Sequence, residues 1–145
     1  MDEKSSSTNK NTITVETVIK APVEKVWESW NKPEHIVNWA FASDDWKALD
    51  PKNDLRVGGK FKTTMAAKDK SASFDFTGVY TAVEEHKLIE YDMSDGRHVK
   101  VEFSEVPEGI KVVETFDPET ENTEELQRSG WQSILENFKK YVESN

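Results

Sequence analysis

The 145-residue sequence predicts an α+β fold, in which a curved antiparallel sheet of six strands packs against two short helices and one long C-terminal helix. Two patterns and one count support this prediction. Segment 56–117 contains strand-like stretches separated by short turn sequences, as in a meander of hairpins. Segment 122–144 carries apolar residues at helical spacing. Five Trp, seven Phe and three Tyr supply material for a buried core.

The N-terminal third is predicted to contain one strand and two short helices. Residues 12–20, TITVETVIK, alternate apolar and polar side chains, which favours a half-buried strand. Pro22 opens the segment APVEKVWESWN, whose apolar residues lie at helical spacing, and proline is well tolerated in the first turn of a helix. One or two further helical turns are predicted at 33–39. Residues 40–54 show no regular period, so an irregular segment is expected there.

Five further strands and the long helix complete the predicted fold. The strands are expected at 56–67, 71–83, 87–93, 97–106 and 109–117. Asp95-Gly96 is the most specific of the turns between them, because this pair is typical of a two-residue hairpin loop. The helix is predicted to start after Asn122 as its N-cap, with Glu125 three residues later as in a capping box. A helix of this length spans about 30 Å.

The predicted architecture implies an internal space. One long helix covers the inner face of the curved sheet, and the two short helices lie at one end of it. A single helix does not fill the whole space inside a sheet of six strands that curls around it. We therefore expect a cavity between the sheet and the C-terminal helix.

Composition and charge exclude several classes of function. The net charge is −9, from 28 acidic and 19 basic residues, so neither nucleic acid nor a membrane surface is expected as a partner. The absence of cysteine excludes disulfides and thiolate chemistry. No apolar run approaches the roughly 20 residues of a membrane span, and the N-terminus lacks the apolar region of a signal peptide, so a cytoplasmic location is expected. Residues 1–11 are predicted to be a disordered N-terminal tail, and residues 12–143 a single domain.

Four stretches in this order resemble one known family. They are the opening strand followed by KAPVEKVWESW, Trp39 before the irregular segment, LRVGGKFK at Leu55–Lys62, and Gly130-Trp131 followed by the apolar helix. From about 12 to 143 the chain resembles the helix-grip superfamily (START, Bet v 1-like or SRPBCC). Within it, the chain is most similar to the domain homologous to the activator of the 90-kDa heat-shock protein ATPase. The resemblance implies a helix-grip fold around a cavity, but members include apolar-ligand binders, polyketide cyclases and chaperone activators, so the fold does not select one function.

Aromatic side chains, together with two methionines, are the candidates for the cavity wall. Phe74, Phe76 and Tyr80 share one face of their predicted strand, and the aromatic residues of segment 40–54 exceed what a plain core needs there. Ordinary core packing is the alternative for each of them. Ligand pockets are mostly apolar with a few polar anchors. The predicted ligand-cavity residues are Trp39, Phe41, Trp46, Phe61, Met65, Phe74, Phe76, Tyr80, Tyr91, Met93, His98, Phe116, Trp131, Leu135 and Phe138.

No pattern of catalytic or metal-binding residues is found. His35, His86 and His98 have no metal-ligand spacing, so neither a metal nor a cofactor is predicted. If one histidine acts as an acid or base, His98 is the choice, because a strand residue can point into a cavity. The acidic residues of 44–54 lack the EF-hand pattern and indicate a solvated loop. The acidic run at 117–125 is typical of a loop and a helix start, with a docking surface for a basic partner as the alternative.

Three functions remain open on these grounds. The first is a non-catalytic carrier or sensor that binds a small apolar or aromatic ligand. The second is a chaperone-associated protein, as the resemblance implies. The third is an enzyme of the cyclase or hydrolase type that uses a cavity histidine or tyrosine. The first is preferred, because the sequence contains no nucleophile–base pair that would support catalysis.

Overall fold

Seven strands and three helices follow one another in the described part of the chain, residues 12–145 of this computed structural model. The predicted disordered tail, residues 1–11, lies outside the described residues. In chain order the elements are β1 (Ile13–Ile19), α1 (Val23–Asn31), α2 (Pro33–Ile36), β2 (Trp46–Asn53), β3 (Lys60–Ala67), β4 (Ser73–Glu84), β5 (Leu88–Met93), β6 (His98–Val106), β7 (Gly109–Phe116) and α3 (Glu124–Ser144).

All seven strands form one curled antiparallel sheet in the order β1-β7-β6-β5-β4-β3-β2. The α+β prediction is confirmed. Hairpins join β2 through β7, and β1 closes onto β7 through the pairing of Ile13 with Phe116 and of Ile19 with Ile110. Two register shifts, in β2 between Leu49 and Lys52 and in β4 after Tyr80, mark β-bulges. Bulges bend a strand and increase its twist, which helps the sheet to curl.

The sheet has seven strands rather than the predicted six, because the segment expected to be irregular contains β2. Its sequence, WKALDPKN, includes Pro51, which lacks the N–H that a central strand requires. β2 is an edge strand, and Pro51 lies inside its bulge, where no ladder hydrogen bond is lost. The bulge also breaks the period of two, which removes the alternation that identifies strands in a sequence.

α3 is fixed along the free edge of β1 by both polar and apolar contacts. The Gln132 side chain donates to the Glu16 carbonyl at 3.1 Å, and Lys139 donates to the Val18 carbonyl at 2.6 Å. The Lys20 amide donates to the Glu143 carboxylate at 2.9 Å. These bonds occupy backbone groups that an edge strand otherwise leaves open to a second strand. The fully buried side chains of α3 pack onto the inner face of the sheet; they are Leu135, Phe138 and Val142.

The N-cap of α3 is Thr123, not the predicted Asn122. The Thr123 hydroxyl accepts from the Leu126 amide at 3.1 Å. Asn122 is held in the preceding turn, where its side-chain amide donates to Glu119 at 2.9 Å. Its carbonyl accepts from the Gln127 side chain at 2.8 Å. The turn therefore uses Asn122, and the next residue with a side-chain oxygen caps the helix.

Gly130 weakens α3 without a packing reason. A Cβ built at Gly130 has no atom within 4 Å, whereas one built at Gly78 in β4 would lie 2.5 Å from the Phe61 ring. Alanine is more favourable than glycine in a helix by roughly 1 kcal/mol. We expect Gly130→Ala to raise the free energy of unfolding by about 0.5–1 kcal/mol in urea denaturation. Gly78→Ala is the contrasting variant and is expected to lower it; a destabilised Gly130→Ala protein would contradict the prediction.

Candidate functional site

A cavity of about 370 Å³ lies between α3 and the inner face of the sheet. The helix contributes Gln127, Trp131 and Ile134 to its wall, and β3, β4 and β5 form the opposite side. The backbone of α3 approaches the sheet mainly at β1. The cavity therefore occupies the space where the helix stands away from the central strands.

The wall of the cavity is mostly aromatic and aliphatic, with polar side chains at a few places. The residues that line it are Trp30, Ile36, Trp39, Ala40, Lys52, Asn53, Phe61, Thr63, Met65, Phe74, Phe76, Tyr80, Ile89, Tyr91, Met93, Arg97, Glu114, Glu119, Asn122, Gln127, Trp131 and Ile134. Lys52, Phe74 and Asn122 are also exposed to solvent, so the cavity reaches the protein surface.

The sheet side of the wall is built around the ring of Phe61. This ring lies over Gly78 of the neighbouring strand, where any side chain would collide with it. Ring centroids of Phe76, Tyr80 and Tyr91 lie 5.4, 5.3 and 4.7 Å from that of Phe61. Tilted and edge-on contacts of this kind stabilise aromatic clusters beyond their burial. Four rings from three strands therefore form one continuous surface.

The helical side of the wall is backed by fully packed rings. Trp30 and Trp39 line the cavity, and the centroid of Phe138 lies 4.9 and 4.8 Å from theirs. Trp131 stacks on Phe116 with centroids 3.8 Å apart. Phe116 and Phe138 are almost fully buried behind these residues. The tryptophans are thus held in place from behind while one face borders the cavity.

A hydrogen-bonded chain lies beside the cavity near the short helices. The Tyr80 hydroxyl donates to the side-chain oxygen of Asn53. The Asn53 amide in turn donates to the carbonyl of Asn31 at 2.8 Å, at the end of α1. Burial raises the pKa of Tyr80, so its hydroxyl stays protonated and acts as a donor.

A second polar group closes the cavity at the start of α3. The Gln127 side chain is buried, donates to the carbonyl of Glu119 at 3.1 Å and accepts from the Glu119 amide at 2.9 Å. Nearby, Arg97 pairs with Asp95 at 2.9 Å. Asn122, which also accepts from Gln127, is exposed. The loop before α3 therefore forms part of the rim of the cavity.

One carboxyl group lies on the wall without a partner. Glu114 is 5% exposed, and its side chain lies on the same face of β7 as those of Val112 and Phe116. Burial raises the pKa of Glu114 to about 8. Within residues 12–145 its carboxyl makes no hydrogen bond, and its negative charge contributes to the raised pKa of the Tyr91 hydroxyl. The other titratable residues on the wall are Lys52, Tyr80, Arg97 and Glu119.

Comparison with known proteins identifies the family. Residues 20–143 match the family described as activator of Hsp90 ATPase homolog 1-like protein (AHSA1). The chain belongs to the AHSA1-like family. The resemblance drawn from the sequence is therefore confirmed. No curated protein matches the chain.

Solved structures of similar proteins share the AHSA1-like fold. The chain is 48% identical to an AHSA1-like protein of Aeromonas hydrophila, with a TM-score of 0.87 over 92% of this chain and 93% of the other. It is 52% identical to a protein of Cytophaga hutchinsonii, with a TM-score of 0.80 over 92% and 93%. A Chromobacterium violaceum protein that is 22% identical has the same fold, with a TM-score of 0.82 over 93% and 99%.

Many of the residues predicted to line the cavity lie on its wall in this AHSA1-like chain. They are Trp39, Phe61, Met65, Phe74, Phe76, Tyr80, Tyr91, Met93 and Trp131. The structure places Phe116, Leu135 and Phe138 in the solid core behind the wall instead. Phe41 and Trp46 are half-buried outside the lining set; the Trp46 centroid lies 5.9 Å from that of Phe74.

His98, predicted to point into the cavity, lies on the outer face of the sheet. Its neighbour Val99 faces inward and is fully buried. The His98 ring contacts Asp92 at 2.7 Å through Nδ1 and Glu90 at 2.8 Å through Nε2. The alternation of β6 decides this, because a strand beginning at His98 turns its odd-numbered residues inward.

Several polar residues of the wall were not among the residues predicted from the sequence. Glu114 carried a usable signal, since the alternation of Ile110, Val112 and Phe116 places it on the apolar face of its strand. Gln127 lies four residues before Trp131 on the apolar side of α3. Asn53 carried no such signal, because the bulge in β2 obscures its orientation.

The described part of the AHSA1-like chain contains neither a metal-binding cluster nor a membrane-spanning helix. No group of three or more His, Asp or Glu side chains in residues 12–145 has the arrangement needed to hold a metal ion. None of the helices in the same range is long and apolar enough to cross a membrane.

His98 is expected to make folding stability depend on pH. Partial burial opposes its charged form, but the hydrogen bonds to Asp92 and Glu90 and their negative charges raise the pKa of His98 above about 6.5. This stabilisation is complete below pH 6.5 and is lost as the pH rises through the raised pKa. We expect His98→Gln to destabilise the protein more at pH 6 than at pH 9, by less than about 1 kcal/mol because the pairs are exposed. Equal losses of unfolding free energy at the two pH values would contradict this.

Glu114 is expected to have the larger pH effect. Its folded pKa of about 8 exceeds the usual value of about 4.3, so the stability of the neutral form is complete below pH 4.3 and falls as the pH rises to 8. Gln does not titrate, so its stability lacks this pH dependence. The free energy of unfolding of Glu114→Gln relative to that of the wild type should therefore rise from pH 5 to pH 8, by up to about 1.4 kcal/mol per pH unit. Denaturation at each pH measures this. The exposed Glu105→Gln is the control, and a similar pH dependence there would refute the assignment.

Proposed function

We propose that this AHSA1-like protein binds a small apolar or aromatic molecule in the cavity between α3 and strands β3–β5. The observation that carries this proposal is a cavity of about 370 Å³ lined mostly by aromatic and aliphatic side chains. Pockets for small ligands measure about 300–1,000 Å³ and are lined in the same way, with few polar groups.

The apolar wall of the cavity favours a ligand site over imperfect packing. Apolar surface that faces water instead of other apolar atoms forgoes about 25 cal/mol of stabilisation per Å². The cavity of about 370 Å³ leaves rings such as Phe61 and Trp131 in this position, because it reaches the protein surface. Larger side chains at Ala40 or Thr63 on the wall would fill part of it. A bound apolar molecule supplies the missing contacts.

The cavity offers one candidate acid, the Glu114 carboxyl, whose pKa burial raises to about 8. No nucleophile or base among residues 12–145 is hydrogen-bonded to it, so the pair of groups that acid–base or covalent catalysis needs is not assembled. His98, the histidine chosen from the sequence, lies on the outer face of the sheet. Tyr80 and Tyr91 border the cavity, but burial raises the pKa of both, which leaves them as hydrogen-bond donors rather than bases. The carrier or sensor function is therefore preferred to the enzyme.

A chaperone-associated function is the second candidate, favoured by the family description that matches residues 20–143. The carboxylates of Glu121, Glu124 and Glu125 are exposed at the start of α3 and offer an acidic surface to a basic partner. An ATPase assay with the 90-kDa heat-shock protein from the same organism decides this candidate. Stimulation that is lost when the three residues become Gln supports it, and the absence of both binding and stimulation removes it.

Filling the cavity is expected to abolish ligand binding. Ile134→Trp places a larger side chain from α3 into the space, whereas Leu126→Trp on the same helix is 59% exposed and outside the wall. We first identify ligands by solvent extraction with mass spectrometry and by titration of a library of apolar and aromatic compounds. Calorimetry should then show affinity reduced at least about tenfold in Ile134→Trp and unchanged in Leu126→Trp.

The proposal fails if the wild-type protein carries no extractable compound and binds no member of the library. It also fails if the folded Ile134→Trp variant binds as tightly as the wild type, because the ligand would then occupy another site.

A further inference from the structure

Glu114 and Tyr91 bring polar groups to an otherwise apolar part of the cavity wall. Glu114 is 5% exposed and Tyr91 is 6% exposed, so both side chains are shielded from bulk water. Both line the cavity, and the charge of Glu114 raises the pKa of Tyr91 in addition to burial, which places the two groups within electrostatic reach of each other. They reach the wall from β7 and β5.

Neither group is satisfied by the protein itself. In the described range, 12–145, neither the Glu114 carboxyl nor the Tyr91 hydroxyl makes a hydrogen bond. By contrast, the Tyr80 hydroxyl on the same wall donates to Asn53. Buried polar side chains are nearly always hydrogen-bonded. Among the side-chain atoms of residues 12–145, only Asn31 Oδ1 is fully enclosed without a partner, so the oxygens of Glu114 and Tyr91 are open to the cavity. Two such groups on one wall indicate partners that come from the cavity.

The charge of the surroundings restricts the kind of partner. Burial raises the pKa of Glu114 to about 8, so at neutral pH its carboxyl is mainly neutral, with one O–H donor and one carbonyl acceptor. Arg97, whose positive charge acts on Tyr91, already pairs with Asp95 at 2.9 Å. Lys52 and Glu119 are the other charged groups on the wall. A carboxylate ligand would place its charge beside Glu114, whereas the Lys52 ammonium lies on β2, with four strands between it and β7 in the sheet. An amine ligand would require Glu114 to ionise in a buried site.

We propose that Glu114 and Tyr91 together form a polar anchor for a neutral aromatic ligand that carries a hydroxyl or carbonyl group. This inference rests on the proposed function, since it assigns the chemistry of a ligand to the same cavity. The ligand group accepts a hydrogen bond from the Tyr91 hydroxyl and exchanges hydrogen bonds with the Glu114 carboxyl. The ring centroids of Phe61 and Phe76 lie 4.7 and 6.2 Å from that of Tyr91. These two rings contact the aromatic part of the ligand.

The test compares two probes of nearly equal shape, 2-naphthol and 2-methylnaphthalene, which differ in one polar group. Glu114→Met removes the carboxyl at similar volume, and Glu114→Gln keeps one donor and one acceptor in the places of the protonated acid. We expect Glu114→Met to lower the affinity for 2-naphthol about tenfold and the affinity for 2-methylnaphthalene less than about twofold. Glu114→Gln should stay within about threefold of the wild type for both probes. Calorimetry gives the affinities.

Tyr91→Phe provides a second variant that does not depend on substitution at Glu114. It too should lower the affinity for 2-naphthol and leave the affinity for 2-methylnaphthalene unchanged. Tyr80→Phe should lower the affinity for 2-naphthol less, because the Tyr80 hydroxyl of the wild type is already bonded to Asn53. Urea denaturation of each variant confirms that it is folded before its affinity is compared.

Charged probes of the same size complete the experiment. The wild type should bind 2-naphthoate and 2-naphthylmethylamine at least about tenfold more weakly than 2-naphthol at pH 7. Tighter binding of either ion, or equal losses of 2-naphthol and 2-methylnaphthalene in Glu114→Met, overturns the anchor while leaving the proposed cavity function in place. If no probe and no library compound binds the wild type, the proposed function fails and the anchor fails with it.

Discussion

The attachment of α3 to the edge strand β1 controls the rest of this structure. Backbone groups of Glu16, Val18 and Lys20, at alternate positions along β1, are bonded to side chains of the helix. The apolar stripe of α3 packs onto the inner face of the sheet from this side. Because a straight helix cannot follow a curled sheet from one edge to the other, α3 separates from β3–β5, and the cavity lies in the resulting gap.

The same residue types serve two roles that differ only in their position relative to this gap. Phe116 and Phe138 lie where the helix and the sheet meet, and they are almost fully buried. Phe61 and Phe76 lie where the helix has separated, so their rings contact each other and the cavity. The solid aromatic core makes the wall rigid, since Trp131 is fixed by its stack on Phe116. A wall held in this way has little conformational freedom to lose on binding, which supports the proposed ligand-binding function.

Polar groups divide between the two faces of the sheet according to what satisfies them. On the outer face, His98 is held by two carboxylates, and water reaches all three groups. On the inner face, Glu114 is shielded from bulk water and its carboxyl has no hydrogen-bond partner within residues 12–145. Burial raises its pKa to about 8. An isolated carboxyl on the apolar face of a strand lowers the stability of the fold while it is ionised, because burial disfavours its charged form.

The sequence by itself determined the order of elements, the antiparallel hairpins and the long terminal helix, because these depend on local periodicity and on turn residues such as Asp95-Gly96. It also determined the family, through the order of several weak motifs. β2 was missed because Pro51 and a bulge interrupt its alternation. Only the tertiary structure decided which aromatic residues border the cavity and that His98 faces outward while Glu114 faces inward. Those outcomes depend on where a helix packed at one edge leaves the sheet and on which face of each strand is turned toward it, and these are relations between distant segments that local sequence does not encode.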